Sequence, residues 1–378
     1  MADVGACLER KFKRQNSSCD NGGPAQEAGQ AEPVENCGKV TLDEHDVFFF
    51  TMQYHNDEKN YIMETMKSGT MGEGAARILV VDDEAEMRRL IADYLRDREH
   101  YAVADAGSGF EALGLLAKQP FDLILSDINM PGMRGFELLD IVRERFPSMR
   151  RVLITAYNVE DYFDLAIKYD IGNIFVKTAP FDFEELSIAI RNLLSNDIFG
   201  LDHYFEAAAE RTRFAVRNAR SLDRHARAIT DFLGDRKRAK YLEVVVVELL
   251  TNAIFYGARR ESPERKDQWD LEGELPDDKA VAVTAVRDRD KYGISVCDEG
   301  GRLKKTDVLY WMNRQVRRDK NGLPIGIGDT HGRGLFIARR YIDRLIINVD
   351  RGRRTEAIII NYNDAKVTGH KPLYINEL

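Results

Sequence analysis

Paired cysteine is missing from this chain. Cys7, Cys19, Cys37 and Cys297 are its only four, and no two stand in a C-x-x-C spacing, so neither a zinc site nor a disulfide framework is expected. Long apolar runs are missing too. No window approaches the roughly 18 consecutive apolar residues of a membrane span, and no basic segment followed by an apolar stretch and a small-residue cleavage site opens the chain. A cytoplasmic location with no membrane partner is therefore expected. Positive charge is in deficit, with 55 Lys and Arg against 63 Asp and Glu, a formal net charge of −8, which argues against bulk nucleic-acid binding. The exception is the Arg-rich stretch 211–240, whose plain reading is a solvated helix face. No internal repeat and no C-terminal helix-turn-helix is visible, so no direct contact with nucleic acid is expected.

What is present is the composition of a globular protein, 44% hydrophobic and 31% charged in 378 residues, long enough for two domains with their own cores. Residues 1–75 carry no period and read as a disordered tail. From Arg77 onward, short β-branched runs at 77–81, 101–105, 122–126, 151–155 and 173–177 alternate with amphipathic helical stretches. Five such βα units, filling 76–196, predict a parallel sheet with helices on both faces and a site at the carboxyl ends of its strands. A segment at 197–236 follows, read as a helical linker because Leu222, Ala226, Ile229 and Phe232 or Leu233 share one stripe. An α/β pattern in a different order occupies 237–365, and 366–378 reads as a C-terminal tail.

The residues just after the strands carry the first chemistry. Asp82 and Asp83 follow the first strand and Asp127 ends the third, while Thr155 closes the fourth and Lys177 the fifth. Three carboxylates on one sheet edge repel one another unless a cation lies among them, and hard, oxygen-preferring Mg²⁺ suits that shell. Lys177 and the Thr155 hydroxyl could hold the oxygens of a phosphoryl group carried by an Asp. The bland alternative is that acidic residues after strands merely cap helices.

The stretches ILVVDDE, LILSDINMPGMRGFELL, VLITAY and IFVK resemble the receiver domain of bacterial response regulators, over residues 77 to about 196. The resemblance implies a flavodoxin-like (βα)5 fold with Asp127 as phospho-acceptor. Asp82, Asp83 and Asp127 would be Mg²⁺ ligands, with Asn129 a metal contact through its backbone carbonyl and Thr155 and Lys177 a switch pair. The phosphodonor would be an upstream sensor histidine kinase. Two departures stand out. The order KTAPF puts two residues between Lys177 and the proline that usually follows directly, and Ile174 stands where an aromatic is usual, which predicts transmission through a different surface.

A second set lies in the C-terminal half. Glu248 and Asn252, four apart in VELLTNAIFYG, share a face if the segment is helical. The valines 244–247 favour strand, but an apolar segment of near 20 residues is too long for one. Asp298 ends an apolar strand and is followed by Glu299, Gly300 and Gly301, and GIGDTHGRGLF at 326–336 is a Gly-rich loop entering a helix. These resemble the N, G1 and G2 boxes of the GHKL ATPase superfamily, nearest the anti-sigma-factor serine kinase branch. The resemblance implies an α/β-sandwich (Bergerat) ATP-binding domain. In it Asn252 would hold Mg²⁺ on the phosphates, Asp298 would bind the adenine amino group, Gly300 would shape that pocket, Gly332 and Gly334 would approach the phosphates, and Glu248 would orient or deprotonate the attacking group. The same residues also admit a plainer reading as a solvated helix stripe, a turn former and a flexible loop.

Together the two sets predict a phosphorelay protein whose receiver controls an ATP-dependent Ser/Thr kinase-like output acting on a partner such as an anti-sigma antagonist or a sigma factor. The linker segment would carry receiver dimerisation to the output, giving a homodimer. An ATP-dependent sequestration switch without phosphotransfer is the alternative. An atypical histidine kinase is a lesser one, since neither His203, followed by YFEA, nor His225, followed by ARAI, has the acidic neighbour such an acceptor needs.

Overall fold

The structure is a computed structural model that describes residues 75–261, 270–328, 333–363 and 370–378. The expected N-terminal tail therefore lies outside the described residues, apart from Ala75.

The first half realises the βα expectation. β1 (Arg77–Val81), β2 (Ala102–Ala106), β3 (Leu123–Asp127), β4 (Arg150–Thr155) and β5 (Asn173–Val176) alternate with α1 (Ala85–Asp97), α2 (Gly109–Leu116), α3 (Gly135–Arg145), α4 (Phe163–Tyr169) and α5 (Phe183–Ser195). The strands are parallel in the order β2-β1-β3-β4-β5, the doubly wound arrangement that brings the ends of β1, β3, β4 and β5 to one edge. β3 and β5 are buried along their whole length, as continuous apolar runs between two helix layers must be. β2 is half-exposed because it is the sheet's edge.

The second half adds β6 (Glu210–Val216), α6 (Leu222–Leu233), α7 (Ala239–Asn252) with a π-helical turn at Ala253–Ala258, β7 (Val281–Arg287), β8 (Lys291–Asp298), α8 (Lys305–Val316), α9 (Arg333–Tyr341), β9 (Arg344–Asp350), β10 (Arg354–Tyr362) and β11 (Leu373–Glu377). Strands β6, β7, β8, β10 and β9 form an antiparallel series. Four successive valines in α7 do not break the helix, because tertiary burial overrides their propensity: Val245 and Val246 point into the core, while Val244 is exposed. Residues 239–258 are long and apolar enough to cross a membrane by length and composition, with half of the window buried within the fold, and α7 packs between α6 and α9.

Three expectations are corrected. The segment 197–236 is not a helical linker. Glu210–Val216 is an edge strand paired antiparallel with β7 from Glu210↔Arg287 to Val216↔Val281, and its mostly half-exposed, Arg-rich face gave no strand signal. The stripe on α6 holds, with Leu222, Ala226, Ile229 and Leu233 buried. The segment 366–378 is no tail, since its residues Leu373–Glu377 form β11, the first four of them buried. β11 runs antiparallel to β5 (Leu373↔Ile174, Tyr374↔Asn173) and parallel to β9 (Tyr374↔Ile346 to Glu377↔Val349). The two halves thus share one sheet of eleven strands and a continuous apolar core from Leu79 to Ile375, rather than each closing its own. An apolar edge at β5 would otherwise be open to pairing with other chains. Gly172 permits the close approach, because a Cβ there would stand 2.3 Å from the Ile375 carbonyl oxygen.

Candidate functional site

The carboxyl ends of β1, β3, β4 and β5 gather Asp82, Asp127, Thr155 and Lys177, all buried. Lys177 lies between the two carboxylates, Nζ 2.6 Å from Asp127 Oδ1 and 2.8 Å from Asp82 Oδ2. Burial opposes its charge, yet Asp127 and Asp82 outweigh that and hold its pKa above the ordinary lysine value. For Asp82 burial wins over the attraction of Lys177, and its carboxyl is raised. Asp82 Oδ1 accepts the Glu84 backbone N–H at 2.9 Å, and Arg88 Nη1 donates to the Asp82 carbonyl at 2.6 Å.

The loop after β3 closes over Asp127. The Asn129 backbone N–H donates to Asp127 Oδ2 at 2.6 Å, and its side-chain amide donates to the Tyr162 hydroxyl at 2.7 Å. Gly135 starts α3 directly beneath, where a Cβ would stand 2.1 Å from the Asp127 carbonyl oxygen. Thr155 Oγ1 accepts the Tyr157 N–H at 3.1 Å, and its carbonyl accepts the Lys177 N–H at 2.7 Å. Lys177 is thereby tied through both its backbone and its ammonium.

The donor set suits a hard cation in part. Asp82 Oδ2 is buried and meets Lys177 as an ion pair without hydrogen-bond geometry, so one acceptor oxygen is left for another positive partner. Asp83, by contrast, is exposed, and among the described residues no three His, Cys, Asp or Glu side chains converge as a metal-holding group. Asp82 and Asp127 are the carboxylates brought together. Asp83 and the exposed Asn129 flank them.

The second set is arranged along α7. Glu248 and Asn252, both half-buried, lie one turn apart. Gly334, at the start of α9, faces Glu248 so closely that a Cβ there would stand 2.5 Å from Oε2. In the π turn, Gly257 backs onto the Asp298 carboxyl, where a Cβ would come within 2.2 Å of Cγ. Burial pushes the Asp298 carboxyl up to about 7, although the Gly300 N–H donates to its Oδ1 at 2.8 Å. A Cβ on Gly300 would strike the Gly257 carbonyl at 2.5 Å. Gly332 and His331 lie outside the described residues. His203 Nε2 contacts the Phe199 carbonyl at 3.0 Å and His225 Nδ1 the Ser221 carbonyl at 2.8 Å, and neither belongs to these clusters.

Sequence reasoning missed Gly257, Gly135 and Tyr162. Gly257 closes the stretch that holds Glu248 and Asn252, a helix interior where glycine costs about 1 kcal/mol, and that anomaly was a usable signal. Tyr162 had none, because its partner is 33 positions away.

Comparison with known proteins bears on the first half of the chain. Residues 78–191 match the family profile described as the response regulator receiver domain. The chain is 38% identical to the response regulator protein FleR of Pseudomonas aeruginosa over 112 residues, which is 30% of the chain and 23% of FleR. It is 33% identical to the transcriptional regulatory protein ResD of Bacillus subtilis over 154 residues, 41% of the chain and 62% of ResD. Against the chemotaxis protein CheY of P. aeruginosa, identity is 36% over 119 residues, 31% of the chain and 94% of CheY. It thus spans less than two thirds of FleR and of ResD. A matched stretch that accounts for nearly all of CheY, folded in the order β2-β1-β3-β4-β5 with Asp127 at the end of β3, places the chain in the response regulator receiver family through residues 78–191.

Proposed function

We propose that this protein is a two-component signalling switch in which phosphorylation of Asp127 by a sensor histidine kinase governs a GHKL-type ATP site in the second half. In this reading Asp127 attacks the donor phosphorus and the bond to the leaving group breaks. Lys177 and Thr155 hold the transferred oxygens; Asp82, Asp83, Asp127 and the Asn129 carbonyl are the residues that would hold Mg²⁺, which when bound would supply positive charge to the phosphoryl oxygens. The observation that carries the second half is the order along α7: Glu248 against Gly334, then Asn252, then Gly257 against Asp298. From Glu248 to Gly257 the helix rises on the order of 13 Å, enough to lay a nucleotide lengthwise with its phosphates at Gly334 and its base at Asp298. Glu248, free to approach a partner's hydroxyl from that end, gives Ser/Thr kinase-like transfer to an anti-sigma antagonist or a related protein in the cytoplasm.

Calorimetry of Mg·ATP on the full chain and on Asn252→Ala, with and without a small phosphodonor, tests this. The proposal requires binding that Asn252→Ala abolishes and that the donor alters. Labelled ATP and a partner should then yield alkali-labile phosphate, lost in Glu248→Ala. Binding without transfer would identify a sequestration switch, and no binding would sink the ATP reading.

A further inference from the structure

The acceptor site is connected to the second half by the turn between β4 and α4. Tyr162 ends the 3₁₀ turn Val159–Tyr162. Its hydroxyl accepts from Asn129 Nδ2 at 2.7 Å, and the backbone N–H of the same Asn129 donates to Asp127 Oδ2 at 2.6 Å. Its ring packs beside Phe136, centroids 6.0 Å apart. Two residues back, Glu160 Oε1 lies 3.7 Å from Nε of Arg339. Arg339 is on α9, only 2% exposed, and its Nη1 and Nη2 donate to the Pro372 and Lys371 carbonyls at 2.5 and 2.6 Å. Its Nε has no hydrogen bond, so Glu160 is what that buried nitrogen faces. In the first turn of α4, which follows directly, Asp164 accepts from Asn313 at 2.8 Å and pairs with Arg317 at 3.0 Å, clamping that helix to α8 and the residue after it. α9 is also the helix whose first turn holds Gly334 against Glu248.

We infer that Tyr162 is a positioning residue for Asp127, and that the Glu160–Arg339 contact makes its position depend on the placement of α9. Whatever settles between Gly334 and Glu248 moves α9, hence Arg339, Glu160 and the turn, and so the Asn129 N–H on the attacking carboxylate. A coupling free energy is reciprocal for binding equilibria, so the second half tunes the acceptor as well as responding to it. The connection replaces a route through position 174, where the buried Ile174 has no polar group to offer. The inference rests on the acceptor reading of Asp127.

The test uses the full chain with Mg²⁺ and acetyl phosphate. An Asp127 oxygen attacks phosphorus, the phosphorus–oxygen bond to the acetyl group breaks, and acetate leaves with the electron pair. Phosphoryl incorporation is followed by intact mass in wild type, Tyr162→Phe, Glu160→Gln, the double variant and Asp127→Asn. Each single variant should change the initial rate about two- to thirtyfold, the range that couplings of this kind span. The double variant should be no worse than the more affected single; Tyr162→Phe keeps the ring and should melt as wild type does, whereas Glu160→Gln leaves the buried Arg339 without its carboxylate, so rates are compared well below the lowest melting temperature. Unchanged rates, or effects that multiply, would overturn the inference. Wild type that takes no phosphoryl group, like Asp127→Asn, would instead overturn the acceptor reading. A non-hydrolysable ATP analogue that shifts the wild-type rate but not that of Glu160→Gln would support the inference and the nucleotide reading together. Coupled variants without any analogue effect would support the inference and overturn the nucleotide reading alone.

Discussion

Arg344, at the start of β9, forks onto Glu185 in the first turn of α5, its Nη2 2.5 Å from Oε2 and its Nε on Oε1, and the Tyr374 hydroxyl donates to the same Oε1 at 2.6 Å. Arg344 is buried and Glu185 half-buried. This pair joins the receiver half to the second half across the strand that completes their common sheet. Removing one partner leaves an uncompensated buried charge, so Glu185→Ala should cost about 3–5 kcal/mol of unfolding free energy. Denaturant melts of wild type and variant measure this, and an unchanged midpoint would show that the pair carries no net stability.

Lys177 holds two buried carboxylates together. Lys177→Met should therefore destabilise the fold at neutral pH by about 3 kcal/mol or more. Because burial already raises the Asp82 carboxyl, and losing the ammonium raises it further, part of the loss should be recovered as the pH falls from neutral and Asp82 takes a proton. Melting temperatures across that range check the recovery, and a pH-independent deficit would contradict it.

Gly257→Ala drives a Cβ to 2.2 Å from Asp298 Cγ. The carboxyl must turn away, and on the proposed nucleotide reading Mg·ATP affinity should fall at least about tenfold, or 1.4 kcal/mol. Gly114→Ala is the control. It sits in α2 with nothing within 4 Å of its new Cβ, and should stabilise the chain by about 0.5–1 kcal/mol without touching binding.

Asp298 sets a pH dependence. Its folded pKa, raised by burial to about 7, exceeds the unfolded value, so between the two the folded state holds the extra proton. Its contribution is present in full below the unfolded value and is lost as pH rises towards 7, by on the order of 1.4 kcal/mol per pH unit at most. Asp298→Asn should flatten that slope in a stability profile from about pH 4 to 8. An identical slope in the variant would show that Asp298 titrates normally.

The five βα units were legible because parallel strands covered on both faces are continuous apolar runs, and residues following such strands must meet at one edge. Asp82, Asp127, Thr155 and Lys177 converge for that reason. Asp83, the next residue after Asp82, is exposed where Asp82 is buried. On α7, the length of the apolar segment correctly outweighed the strand preference of Val244–Val247, and periodicity placed Glu248 and Asn252 on one face.

Long-range pairing was not legible. β6 is an edge strand with little apolar content, and β11 is a short strand after a polar stretch, so neither carries a local signature. Only the sheet, by needing partners for β7 and for the open edge of β5, assigns them a place. The sequence by itself determined the edge that carries Asp82, Asp127, Thr155 and Lys177 and the polar stripe of α7, because both follow from local period and strand order. Tertiary structure alone decided that the two halves share one sheet, that Arg344 meets Glu185, and that Tyr162 and Arg339 lie between the sites. Those contacts join residues 33 to 189 positions apart, and hydrophobic patterning encodes which face of an element is buried but not which distant element covers it.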